Sequence, residues 1–365
     1  MARWQETFLQ LLRSGLWDRP LEDVTAFSIT KEEWRLVYAE SERQTVQGLC
    51  YLGLRYLPDE YYPPQSIVSQ WMSATIAIKE VNEKVRTVTA TVCEKLNKVG
   101  VTPVLMKGQA VAKYYEQPSL RSCGDIDLYI SDNQQFEVAS SLLESEQIPF
   151  RRAADGSVSF ELNEVEVELH RDLIDVQRPR SKRLFSLLME EEPFRTMRLI
   201  DDVEMKVPSP LITLLMLNAH IMKHVFTVGI GLRQFCDLAR AYHILNEQYD
   251  HVKYASVIQE LGLAKWSAQL HGLLTQYFGL SIEELPYKSE TVDSSRLIHK
   301  VFEWGNFGQQ TTSWNKAADS NWKMKLHTVK RITLGLPYSL RLATIETIYI
   351  IKNLVKGQFI NSKDE

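Results

Sequence analysis

Residues 104–130 read VLMKGQAVAKYYEQPSLRSCGDIDLYI, and the fold turns on how this stretch divides. Residues 101–106 (VTPVLM) are short and apolar, with Gly100 before and Gly108 after, which suits a strand. Residues 109–116 can form a helix and residues 117–124 (QPSLRSCG) a loop. Ile126, Leu128 and Ile130 then alternate with Asp125, Asp127 and Tyr129, the pattern of a half-buried strand. With a side-chain period of two, both carboxylates leave one face and the three apolar residues fill the other. Further on, Ser131 and Asp132 are cap residues for a helix carrying Phe136, Ala139, Leu142 and Leu143. Residues 148–152 suit a short strand, and Asp155-Gly156 is a turn signal. In VSFELNEVEVELH the second half alternates, Val165, Val167 and Leu169 against Glu164, Glu166, Glu168 and His170. Residues 203–207 can supply one last strand.

The flanks have a different period. Trp4, Phe8, Leu11 and Leu12 follow helical spacing, as do Val81, Val85, Val88, Val92 and Leu96. Pro58, Pro63 and Pro64 divide that region into two helical clusters. Ser209 followed by Pro210 is an N-cap and first-turn pair, predicting a helix to about Phe226. Helical spacing dominates the remainder, with Gly279, Pro286 and Pro337 as expected breaks. The predicted class is α+β, a small mixed sheet with helices at 101–207 between helical regions at 1–100 and 208–365.

At roughly 150 residues per domain, 365 residues suggest two or three. Apolar residues at 44% and charged residues at 24% exclude a disordered, collagenous or disulfide-scaffold chain. A net charge of -4 gives no basic surplus for general nucleic-acid binding. Cys50, Cys93, Cys123 and Cys236 form no C-x-x-C pair, so a reducing, cytoplasmic setting is expected. The first residues carry Glu6 where a signal peptide needs apolar character. The greasiest segment, 210–228, holds Asn218, His220, Lys223 and His224, so a buried helix and no membrane span is expected there.

The chain has no G-x-x-x-x-G-K-[ST], G-x-S-x-G or H-E-x-x-H motif, which leaves chemistry built from carboxylates, histidines and basic groups. Asp125 and Asp127, about 7 Å apart along one strand face, repel unless solvated or bridged by cations. Mg²⁺ takes one or two carboxylates plus substrate phosphates, and a third carboxylate on a neighbouring strand could hold a second metal. Glu164, Glu166 and Glu168 all qualify by periodicity. Met106-Lys107-Gly108 lies where a strand gives way to a helix: the glycine lets a phosphate approach the backbone and Lys107 adds a positive charge. Arg121 sits in the loop entering the acidic strand.

This ordered set, VLMKG then LRSCGDIDLYI then VEVELHRDL, resembles the DNA polymerase β-like nucleotidyltransferase superfamily. Within it the chain is similar to the nucleotidyltransferase family with the pattern L-K-G…R…D-I-D-L…(D/E)-L-H, over about residues 101–172. The resemblance implies a minimal nucleotidyltransferase sheet and two Mg²⁺ (or Mn²⁺) ions held by Asp125, Asp127 and, through the E-L-H match, Glu168. It implies an NTP as substrate, its phosphates neutralised by Lys107, the Gly108 amide and Arg121. A nucleoside monophosphate would pass, with release of pyrophosphate, to an acceptor the sequence does not name: a small molecule, peptide or protein is expected before an RNA end. Glu168 is also a candidate base. Gln109 stands where the superfamily usually has Ser or Gly, which leaves a second reading: a catalytically inactive nucleotide-binding or interaction module.

His220 and His224, at i and i+4, share a helix face. They can pack and hydrogen-bond against the α/β core, line the nucleotide or acceptor pocket, or bind Zn²⁺ with Asp237 as in a metal-dependent hydrolase. His170 shares the face of Glu168 and can orient a ligand or cap the strand end. The lysine-rich, polar residues 307–331 read as a solvated loop.

Overall fold

The alternation at Asp125 becomes the middle strand of a seven-stranded sheet in a computed structural model describing residues 1–153, 155–200, 203–287, 292–305 and 321–361. The strands are β1 (Val104–Leu105), β2 (Asp125–Tyr129), β3 (Phe150–Arg152), β4 (Val158–Leu162), β5 (Val165–His170), β6 (Arg195–Ile200) and β7 (Val203–Val207), in the order β3-β4-β5-β2-β1-β7-β6. β2 runs parallel to β5 and β1 parallel to β7; the other pairs are antiparallel.

Four helices precede the sheet, α1 (Arg3–Trp17), α2 (Lys31–Arg43), α3 (Gln47–Leu54) and the long α4 (Gln65–Lys98), which starts directly after Pro63-Pro64. Within it lie α5 (Gln109–Ala112), α6 (Asn133–Ser145) and α7 (Pro179–Glu191). After it come α8 (Pro210–Phe226), α9 (Leu232–Leu245), α10 (His251–Glu260), α11 (Ala264–Phe278), α12 (Ser295–Trp304), α13 (Asn321–Leu342) and α14 (Thr344–Asn361). The Ser209 hydroxyl accepts from the Ile212 amide and Pro210 opens α8, as expected of that pair. Gly279 ends α11 in the left-handed region. No helix among the described residues is long and apolar enough to cross a membrane.

The sheet has two unlike faces. Ile126 and Leu128 of β2 and Val165, Val167 and Leu169 of β5 pack with Val88 and Val92 of α4 and Phe136 and Ala139 of α6. Burying each such side chain contributes roughly 1.5–3 kcal/mol, which offsets the cost of holding carboxylates on the opposite face. That face carries Asp125, Asp127, Glu168 and His170, and the cavity it lines is closed by α8 and α9. A second apolar cluster joins α1 to α3 with α8 to α12, so the two ends of the chain share packing.

The structure departs from the sequence reading at several points. VSFELNEVEVELH is a hairpin, β4 and β5, joined by Asn163-Glu164 with both residues at positive φ, as a two-residue hairpin turn requires. The first strand is cut to two residues because Pro103 has no N–H to give a ladder. The following helix stops at Ala112. α7 and β6 are additional elements. Pro337 lies inside α13 and does not end it, since one missing N–H removes one helical bond and not the helix. Of the expected loop at 307–331, residues 307–320 lie outside the described residues and 321–331 are helical, the start of α13.

Candidate active site

Parallel pairing of β2 and β5 sets Asp125 beside Glu166, Asp127 beside Glu168 and Tyr129 beside His170. Adjacent strands lie about 4.8 Å apart, so the second aspartate and Glu168 face each other across one strand spacing. Periodicity left three glutamates equivalent, and the register separates them. Glu164 falls in the turn and pairs with Lys84, Glu166 lies beside exposed Asp125, and Glu168 beside buried Asp127.

His170 Nε2 is 2.9 Å from Asp127 Oδ1 and 3.3 Å from Glu168 Oε2. Ligand atoms of Asp127, Glu168 and His170 all lie within 4.8 Å of one another. Lys107 Nζ is 3.5 Å from the same Asp127 oxygen. Burial opposes ionisation of Asp127, but the Lys107 charge and the His170 hydrogen bond outweigh it and hold the carboxyl well below the usual range. Burial likewise opposes the imidazolium, yet the bonds to Asp127 and Glu168 push His170 up to about 9. The carboxylates are thus balanced by an ammonium and an imidazolium. Two carboxylates and one histidine converging from two strands could hold a divalent metal ion, the His170 ring becoming a ligand only as the metal displaces its proton. Asp125, one pleat earlier on the same face, lines the same cavity.

Gly108 has φ 59° and ψ -116°, a conformation suited to glycine alone. An added Cβ would also meet Cys123 Sγ at 3.3 Å and the Asp125 carbonyl oxygen at 3.4 Å. Gly108→Ala is expected to cost about 1–3 kcal/mol, read as a lower urea midpoint with unchanged slope. The helix it opens is a single turn, so it supplies local amides and little macrodipole. Gln109 turns away from the cavity: its Nε2 donates to Asn82 Oδ1, and Asn82 donates to the Ser119 and Arg121 carbonyls. The residue that departs from the family pattern therefore braces the loop entering β2.

Arg121, read as a phosphate ligand, has both ends of its fork on Asp237. Nε donates to Oδ1 at 2.7 Å and Nη2 to Oδ2 at 2.8 Å. The Arg121 side chain is 4% exposed. Asp237 is therefore not a third ligand for the two helix histidines, and the hydrolase reading loses its carboxylate. His220 meets a residue the sequence did not single out: Nδ1 is 2.8 Å from Asp175 Oδ2, and Lys223 Nζ donates to Asp175 Oδ1 at 2.6 Å. Asp175 lies in the loop between β5 and α7, where no periodicity marks it. The one hint was its place between two apolar residues, Ile174 and Val176, both buried. Arg233 of α9 reaches the loop before β2, donating to the Ser122 carbonyl at 2.6 Å.

These groups enclose one cavity of about 280 Å³, with Asp125, Asp127 and Glu168 on the sheet wall and Asp175, His220 and Arg233 on the helical wall. No curated protein matches the chain. Residues 30–279, more than half of it, match the family described as "uncharacterised nucleotidyltransferase". A chain matched over that span, with paired acidic strands facing a polar cavity, belongs to this family of nucleotidyltransferases and is a transferase.

Proposed function

We propose that the protein transfers a nucleoside monophosphate from an NTP to an acceptor, with Mg²⁺ or Mn²⁺ and release of pyrophosphate. The observation that carries this reading is the β2–β5 register, which sets Asp127 beside Glu168 with His170 in reach of both. Asp125, Asp127 and Glu168 would hold the divalent cation, with His170 at its edge. When bound, such a cation neutralises the triphosphate and stabilises the attacking and leaving oxygens.

The chain's own groups divide the remaining work. Lys107 and the amides around Gly108 receive phosphate oxygens at the sheet end of the cavity. Arg121 serves them at one remove, by fixing the loop that leads into Asp125, while Arg233 brings a second guanidinium to the cavity. The acceptor, a small molecule, peptide or protein, would meet the α8 wall, where His220 and Lys223 line the cavity.

The test is a screen of ATP, CTP, GTP and UTP, each α-labelled, with Mg²⁺ or Mn²⁺ and cell extract. One nucleotide should yield a labelled product and pyrophosphate, both lost in Asp125→Ala and Asp127→Ala. Nucleotide binding without turnover under every condition would favour the inactive module instead.

A further inference from the structure

We propose that His220, held by Asp175, is the general base of the transfer, and that the acceptor therefore attacks through a neutral hydroxyl. This inference rests on the nucleotidyl-transfer reading and names the chemistry of its second substrate.

The geometry decides the tautomer. Asp175 Oδ2 lies 2.8 Å from His220 Nδ1, and a carboxylate can only accept, so the ring proton sits on Nδ1. The lone pair is then on Nε2. A carboxylate orienting an imidazole in this way is the arrangement that prepares histidine to take a proton from a hydroxyl. Asp175 is itself fixed by Lys223, whose Nζ is 2.6 Å from Oδ1. His220, Asp175 and Lys223 line the same cavity as Asp127 and Glu168, from the opposite wall.

The other carboxylates of the cavity are committed elsewhere: Asp125 to the cation, Asp155 to the Ser157 amide and hydroxyl, and Asp237 to Arg121. Asp127 is bonded by His170 and faces Lys107, and Glu168 Oε2 lies 3.3 Å from the same imidazole. Carboxylates committed to cations are weak bases. Lys107, Lys223 and Arg233 are donors.

Charged groups face His220 from every side: Lys107 from the turn after β1, Asp127 from β2, Asp175 from the β5–α7 loop, and Lys223 and His224 from its own helix. Burial and the Lys107 charge together outweigh Asp175 and Asp127 and keep the ring below its usual value. His220 is thus neutral near pH 7, as a base must be. In the step, the acceptor oxygen bonds to the α-phosphorus as the bond from that phosphorus to the bridging oxygen breaks. The hydroxyl proton goes to His220 Nε2, and the electron pair leaves on pyrophosphate. An acceptor that is already an anion needs no such group.

The experiment uses the full chain with the four NTPs and Mn²⁺, water serving as the probe hydroxyl, and follows pyrophosphate release. His220→Gln should slow release about 100-fold with the NTP Kd unchanged within about threefold. Asp175, as a positioning residue, is tested by ¹⁵N spectra of histidine-labelled protein. The wild-type signal lost in His220→Gln should show the Nδ1–H tautomer, and Asp175→Asn should shift it towards Nε2–H and slow release at least tenfold. A wild-type ring in the Nε2–H form overturns the base without any variant having to fold. Release at the wild-type rate in His220→Gln, with Asp127→Asn silent, overturns the base and leaves the transferase reading intact. No release by the wild-type chain from any of the four nucleotides, with water or with cell extract supplying the acceptor, overturns both. The linkage of the product from extract is read by mass spectrometry: a phosphate ester supports a hydroxyl acceptor, and an acyl phosphate, phosphoramidate or phosphoanhydride overturns it.

Discussion

Asp127→Asn is expected to lower pyrophosphate release by at least about 10³-fold, roughly 4 kcal/mol of transition-state stabilisation, in a protein that still folds. The side chain is 8% exposed and is the point where three partners meet: His170 at 2.9 Å, Lys107 at 3.5 Å and, across one strand spacing, Glu168. An amide keeps the shape and one acceptor oxygen but removes the charge. It can no longer draw a divalent cation, and Lys107 is left facing a neutral group. His170 keeps one carboxylate in place of two, so its imidazole should fall back from about 9 towards its ordinary value. The substitution also has a signature in stability. The Asp127 carboxyl is held well below its unfolded value, so its contribution is complete above about pH 4 and is lost as pH falls further. Denaturant unfolding of the two proteins between pH 2 and 6 should therefore show a shallower acid decline in Asp127→Asn. Wild-type rates in the variant would remove this residue from the chemistry.

How far the sequence carries can be judged at particular residues. The strand of Asp125 and Asp127 was legible because one face had to be apolar throughout and the other could be acidic. The start of α8 was legible because Ser209 and Pro210 are local signals that need nothing distant. The hairpin at Asn163-Glu164 was hidden because its turn uses positive φ without glycine, so the usual marker is missing. The chain leaves α5 after one turn, where four more residues had suited a helix, and Tyr115 in that stretch donates instead to Asp237. Tertiary contact here overrides local propensity. The partners of Arg121 and His220 lie 116 and 45 residues away in sequence, and no spacing rule reaches that far. The carboxylate half of the site is periodic and could be read. The half built from loops and helix faces became visible only once they were folded against it.

Asp237→Ala is expected to destabilise the protein by about 3–5 kcal/mol, the cost of leaving one member of a buried ion pair without its counter-charge. Arg121 and Asp237 are each 3% exposed, and the carboxylate also accepts from Tyr115 Oη at 2.7 Å. Burial disfavours ionised Asp237, but the facing guanidinium outweighs it and holds the carboxyl below its ordinary range. A guanidinium cannot discharge by losing its proton, so the truncated protein must bury the cation unpaired or open the loop to water. Either route disturbs the backbone that leads from Arg121 into Asp125, and transfer should weaken even where the fold survives. Urea unfolding followed by tryptophan fluorescence measures the first effect, and pyrophosphate release below the transition measures the second. The companion variant separates pairing from packing. Replacing both residues by apolar ones, Arg121→Met with Asp237→Leu, removes the unpaired charge and should recover most of the lost stability, since buried ion pairs often exchange for apolar packing at little net cost. If the double variant is as stable as wild type yet slow in transfer, the pair exists to set the loop. If Asp237→Ala alone unfolds at the wild-type midpoint, the guanidinium has another counter-charge and the pair is not what holds this wall of the cavity.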